Sequence, residues 1–83
     1  DVTVVFNGQK HAKTFAPSVL VRRVLKWATK EFGLKGADAE NKELRLASAS
    51  GQAMKDDAAI GSYVHYPKCE LTAYLVDIVQ PQG

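Results

Sequence analysis

Few side chains in these 83 residues could do covalent chemistry, and those few are scattered. Cys69 follows Pro67-Lys68 with no activating partner at a recognisable spacing, so its thiol reads as structural or incidental rather than nucleophilic. His11 and His65 stand at no metal-ligand spacing to each other or to Cys69. There is no phosphate loop, no nucleophile elbow and no carboxylate pair in a catalytic setting. The chain therefore reads as a non-enzyme, with no cofactor and no metal. One candidate remains at the end, where LTAYLVDIVQPQG closes on Gly83. Glycine lacks a Cβ, so its backbone can approach other groups closely. Whether Gly83 is a reactive tip depends on the domain in front of it.

Composition bounds that domain. A chain of 83 residues buries only about 60–65% of its unfolded surface, so it has room for one simple core. With 46% hydrophobic and 24% charged residues it has the composition of an ordinary globular protein. No apolar run approaches the roughly 20 residues needed to span a bilayer, and no signal-peptide pattern opens the chain. The first residue is Asp1, so an initiator Met, or more, has been removed or lies outside this chain. A single cysteine cannot form an internal disulfide, which agrees with a reducing, cytoplasmic setting. The net charge of +2 is too evenly spread to argue for nucleic acid. Arg22, Arg23, Lys26 and Lys30 cluster, but they fit the wet face of a helix. A monomer without nucleic-acid or membrane partners is expected.

The elements follow from pattern. VTVVFNGQKHAKTF predicts a hairpin, because Val2, Val4 and Phe6 alternate with Thr3 and Val5 before the turn signal Asn7-Gly8. The second arm is weaker, since Ala12, Thr14 and Phe15 do not settle which residues face inward. Pro17 ends it, and Ser18 is the expected N-cap of the next segment. Apolar residues at 21, 24, 25, 28 and 32 make the stripe of an amphipathic helix. Gly33 supplies a left-handed stop, with Leu34 folding back over the helix end. Trp27, off the stripe, is expected half-buried at the helix edge. LKGADAENKE reads as an irregular loop. ELRLASASG predicts a short strand with Leu44 and Leu46 on one face and Arg45 on the other. A long connection follows, which Met54, Ile60 and Tyr63 could anchor. In ELTAYLVDIV, Leu71, Ala73 and Leu75 share one face, with Thr72, Tyr74 and Val76 on the other. The order β-β-α-β-loop-β predicts an α+β roll of the β-grasp kind, one helix on a mixed sheet with the first and last strands parallel at its centre.

At this point the residues resemble ubiquitin. PSVLVRRVLKWATKEFGL, Pro17 to Leu34, aligns without a gap on the corresponding piece of that family. Inward Val21, Val24 and Ala28 and the Gly33-Leu34 exit are in step. IGSYVHYPKCELTAYLV resembles the family's Leu-Ser-Asp-Tyr stretch and last strand. The resemblance implies that Tyr63 is a loop tyrosine whose hydroxyl ties the loop down, and that Leu71, Ala73 and Leu75 point inward. It implies a ubiquitin-like body over residues 1–76 and a tail over residues 77–83. A ferredoxin of the same fold is excluded, because one cysteine cannot hold its iron–sulfur cluster.

Departures from the family set the functional expectations. Arg45 and Tyr74 stand where ubiquitin-like modifiers carry the centre of an apolar recognition patch. Both residue types are enriched at binding hot spots, so they are the expected partner-binding pair. Modifiers end in Gly-Gly, whereas this chain continues VDIVQPQG with one glycine, and Pro81 stiffens the approach to it. Divergent ubiquitin-like proteins of bacterial operons, encoded beside activating, conjugating and deubiquitinating enzymes, show this sort of body and tail. The resemblance implies a modifier whose Gly83 is activated with ATP and conjugated to targets, with activating and conjugating enzymes and a processing protease as partners. The alternative is a non-conjugated interaction module that binds another protein partner through its sheet. A sulfur carrier, using a glycine thiocarboxylate, is a third reading.

Overall fold

In a computed structural model, residues 1–47, 51–64 and 70–78 are described. The elements are β1 (Val2–Phe6), β2 (Gln9–Lys13), α1 (Val21–Glu31), a short helix α2 (Ala37–Glu40), β3 (Lys42–Leu46), a 3-10 turn (Ile60–Tyr63) and β4 (Leu71–Asp77). The four strands form one sheet in the order β2-β1-β4-β3. β1 and β4 run parallel in the middle, while β2 and β3 pair antiparallel on the outside. This is the ubiquitin-like β-grasp that the element order predicts.

Period-two alternation positions the core. Val2 and Val4 of β1, Leu44 of β3 and Leu71, Ala73 and Leu75 of β4 are buried on one face of the sheet. Val21, Val24 and Ala28 of α1 meet them from above. Val4, Ala28 and Ala73 are completely buried. The hairpin turns at Asn7 and Gly8 with φ of 51° and 76°, the left-handed pair that a two-residue turn demands. Trp27 sits at the helix edge as expected, with Phe15 packed edge-on at 5.5 Å between ring centroids.

The two ends of α1 are made differently. At its C-terminus Gly33, at φ 73°, donates its N–H to the Lys30 carbonyl, and Leu34 donates to Thr29 at 2.8 Å. These are the paired bonds of a Schellman stop. At the N-terminus the cap is Leu20, with no side-chain hydrogen bond, so Ser18 does not serve as the N-cap. Instead the Val21 N–H donates to the Ala58 carbonyl and the Arg22 N–H to the Asp56 carbonyl. Groups that a first helical turn leaves open are thus satisfied by a loop more than thirty residues downstream.

Two further segments differ from expectation. Residues 37–40 form the helix α2 rather than irregular loop, and Asn41 closes it by donating its N–H to Ala37. Within the long connection, residues 52–54 lie against the outer side of β3: Leu46 N–H donates to Gln52 and Met54 N–H to Leu44, both at 2.9 Å. The expected anchors hold that connection. Met54 and Ile60 are buried, and the Tyr63 hydroxyl accepts the Lys55 N–H at 2.8 Å.

The connection is also clamped to the segment before α1. Ile60 N–H donates to Val19 and Gly61 N–H to Pro17. A Cβ on Gly61 would stand 2.8 Å from Pro17 Cβ and 3.0 Å from the Pro17 carbonyl oxygen, so only glycine allows this approach. Gly61→Ala is expected to destabilise the domain by about 1–3 kcal/mol, the usual range for overpacking. Denaturant unfolding measures it, and an unchanged midpoint would show that the clamp yields freely.

Candidate functional site

The face of the sheet turned away from α1 is built by the residues between the core positions. Tyr74 lies at its middle, paired with Val5 across the parallel ladder and with Arg45 across the antiparallel one. The two residues expected to form a partner-binding pair are therefore direct neighbours. Along β4 the same alternation places Val76 two residues on and brings Ile78 to the same side. Tyr74 at 47% and Ile78 at 36% are the exposed large hydrophobics among the described residues, and both stand on this one strip. Val5 and Val76, half-buried, fill the spaces beside them. Beside Tyr74 a shallow depression of about 530 Å³ runs to the β1–β2 turn, lined by Val5, Asn7, Gly8 and Val76 among others.

Arg45 is less free than the sequence implies. Its Nε and Nη2 donate to Glu43 Oε1 at 3.1 and 3.0 Å, and its Nη1 donates to the Gly51 carbonyl at 2.8 Å. Glu43 lies two residues away on the same strand face, so the pair follows from the period of β3. The guanidinium is held as a flat, charge-compensated wall beside Tyr74. This leaves the apolar ring and aliphatic strip, rather than a net positive charge, as the main feature of the face. Sequence reasoning placed Val76 on the Tyr74 face but did not single out Val5 or Ile78 as companions of the pair, although continuing the alternation 74, 76, 78 along β4 was a usable signal.

The end of β4 is fixed. Asp77 pairs with Lys42 through its carboxylate, and the Ile78 N–H donates to the Asn41 carbonyl at 3.0 Å. The strand thus runs one residue past position 76 before the VQPQG segment. Gly83, like Pro81, His65 and Cys69, lies outside the described residues. Among the described residues no group of three or more metal-ligating side chains converges, and no helix is long and apolar enough to cross a membrane.

Over residues 1–78 the sequence matches the family described as BilA ubiquitin-like domain 2. The chain belongs to this family. The match spans the whole β-grasp body and ends at Ile78, where the Asn41 carbonyl holds β4. No curated protein matches the chain. Among 118 matching chains of solved structures is one from the crystal structure of ATBAG1 in complex with HSP70. It superposes with a TM-score of 0.70 at 16% identity, covering 92% of this chain and 38% of that one. At that identity the likeness concerns the fold, and a fold so widely shared does not select a function.

If the face is available for recognition rather than structural, its central side chain must be dispensable for folding. Tyr74→Ala is expected to change stability by no more than about 0.5 kcal/mol, as for surface substitutions away from packed features. Arg45→Ala, which breaks a part-exposed ion pair, should cost up to about 1 kcal/mol. Thermal unfolding of both variants checks this, and a loss several times larger at Tyr74 would make that ring part of the scaffold.

Proposed function

We propose that this BilA-type ubiquitin-like domain is a non-catalytic protein-interaction module that docks a partner protein on the outer face of its sheet. The observation that carries this reading is the position of Tyr74 and Ile78. Both are large, exposed and apolar, on one side of the strand that the family match covers to its end. A ring flanked by half-buried valines and an immobilised guanidinium loses little side-chain freedom on binding, which is what hot-spot residues require. A solved neighbour of the same fold comes from a complex with HSP70, which agrees with a protein as the kind of partner. Tyr74 would be the anchor and Arg45 the supporting wall. Truncation of the anchor should cost on the order of 2 kcal/mol, or about 30-fold in affinity. Immobilised wild-type domain and the Tyr74→Ala and Arg45→Ala variants can be compared for capture of proteins from an extract of the native host. Undiminished capture by both variants would remove this face from consideration.

A second reading, the modifier, is favoured by the way β4 leads out of the fold. The body is tied down as far as Ile78, and four residues then separate this anchor from Gly83. A glycine carboxylate could be adenylated with ATP by a separate activating enzyme, passed as a thioester to a conjugating enzyme and joined to a target amine. The outer face would then serve to recognise those enzymes. Incubation with the cognate enzymes and ATP should produce adducts that intact-mass analysis detects and that deletion of Gly83 abolishes. Adducts that persist without Gly83 would refute attachment through this residue.

A further inference from the structure

The exposed side of α1 is uniformly basic. Arg22, Arg23, Lys26 and Lys30 are all exposed. At about 3.6 residues per turn they occupy an arc of roughly 100°, opposite the buried Val21, Val24 and Ala28. Arg22, Lys26 and Lys30 form one i, i+4 row, and Arg23 adjoins Lys26 at i+3. Among the described residues none of the four has an ion pair or a side-chain hydrogen bond. No acidic residue stands three or four positions from any of them in the chain. The acid that α1 does carry, Glu31, is engaged by His11. On the sheet, by contrast, Lys42 meets Asp77 and Arg45 meets Glu43.

This arrangement works against the helix that carries it. Like charges at i, i+3 and i, i+4 repel along a helix face. Arg22 and Arg23 also lie in the first turn, which holds no acid and where the helix dipole disfavours cations. Of the four, Lys30 in the last turn is the one that the dipole favours. A local conflict of this kind is expected where a surface serves recognition rather than the stability of the free domain. At the start of α1 the basic row meets a notch of about 390 Å³, lined by Ser18, Val19, Leu20, Arg22 and Arg23. Val19 and Leu20 are half-buried there, so the notch offers apolar surface beside the two arginines. Beyond the notch stand Asp56 and Asp57, both exposed, where the Asp56 carbonyl receives the Arg22 N–H.

We infer that the solvent side of α1 docks an acidic helix of a partner protein. A helix repeats every fourth residue at about 6 Å along its axis, so carboxylates at i, i+4 and i+8 match the row of Arg22, Lys26 and Lys30. An apolar side chain at the end of that partner helix would enter the notch at Val19 and Leu20. Charge complementarity and patch size select this occupant. The row is only about 12 Å long, and a longer polyanion laid along it would run onto Asp56 and Asp57. A bilayer is a poor match, because the basic arc holds no apolar side chain to insert and the apolar stripe of α1 faces the core. This surface lies across the sheet from Tyr74, on the other side of the core, so the two sites can fail independently.

The test reads binding and stability on the same variants. A blocked helical peptide, acetyl-LAAEAAAEAAAEAAA-amide, is titrated into the full chain and followed by amide NMR. Shifts should centre on residues 19–30, and affinity should fall steeply as salt is raised. Lys26→Glu replaces three repulsive neighbours, Arg22, Arg23 and Lys30, with attractive ones. It should therefore raise the melting temperature of the free domain by about 3 °C or more, while weakening the peptide by about tenfold. Lys10→Glu makes the same change of net charge on the outer sheet face and should leave binding within about twofold. Should Lys26→Glu fail to fold, Arg23→Gln combined with Lys30→Gln should weaken binding by about threefold or more. The proposal is overturned by shifts centred on Val5 and Tyr74, by no shift at all, or by binding equally sensitive to Lys10→Glu. A Lys26→Glu domain no more stable than the wild type would remove its premise. Tighter binding of a DNA duplex or of anionic vesicles at the same residues and salt would assign the row to phosphate ligands instead. Self-association of the free domain through α1 would assign it to a second copy.

Discussion

The parallel pairing of Val2–Val5 with Leu71–Tyr74 is the constraint on which the rest of this molecule hangs. It joins the two ends of the chain across the centre of the sheet, and closing so long a loop costs entropy that only buried contacts can repay. Those contacts are Val2, Val4, Leu71 and Ala73 beneath Val21, Val24 and Ala28. Parallel strands also require a crossover, which α1 begins and the long connection completes. That connection is tied at both levels. Its carbonyls at 56 and 58 satisfy the start of α1, and its glycine at 61 lies on the carbonyl of Pro17. The pairing and the crossover support each other, and neither has a local alternative.

Once the ladder is set, the alternation of β4 divides the molecule into a buried and a presented face. The residues that fix the fold, Leu71, Ala73 and Leu75, are interleaved with Thr72, Tyr74 and Val76, which the core does not use. A central strand thereby displays side chains between two neighbours that keep its backbone rigid. Among the described residues the same architecture leaves the outer side of β2 without a strand, with Lys10 and Lys13 exposed on it, while residues 52–54 cover β3. A face of side chains that the core does not use is thus a consequence of how four strands close around one helix.

Much of the body was legible from local pattern. Asn7-Gly8 announced a hairpin, the stripe from Val21 to Phe32 announced a helix, and Gly33-Leu34 announced its end. The loop tyrosine, Tyr63, held its connection as the ubiquitin resemblance implied. Less of the candidate site could be read in advance. Arg45 and Tyr74 proved to be cross-strand neighbours, and the Glu43–Arg45 pair follows the period of β3, but the grip of the Gly51 carbonyl on Arg45 depends on a loop position that spacing alone does not reveal.

What the sequence by itself determined are features that arise within a few residues: turns that need positive φ, helical and strand periods, and the glycine that stops α1. These follow from backbone sterics and the alternation of side chains, which act at short range. Tertiary structure alone decided what closes the start of α1. Ser18 is a good cap by type, yet the N–H groups of Val21 and Arg22 found the carbonyls of Ala58 and Asp56. It also decided that residues 52–54 cover one edge of the sheet and that the Gly51 carbonyl holds Arg45. The physical reason is common to all three. Each depends on a backbone or side-chain environment assembled by the packed fold, and nothing in the short-range pattern reports which distant group will arrive there.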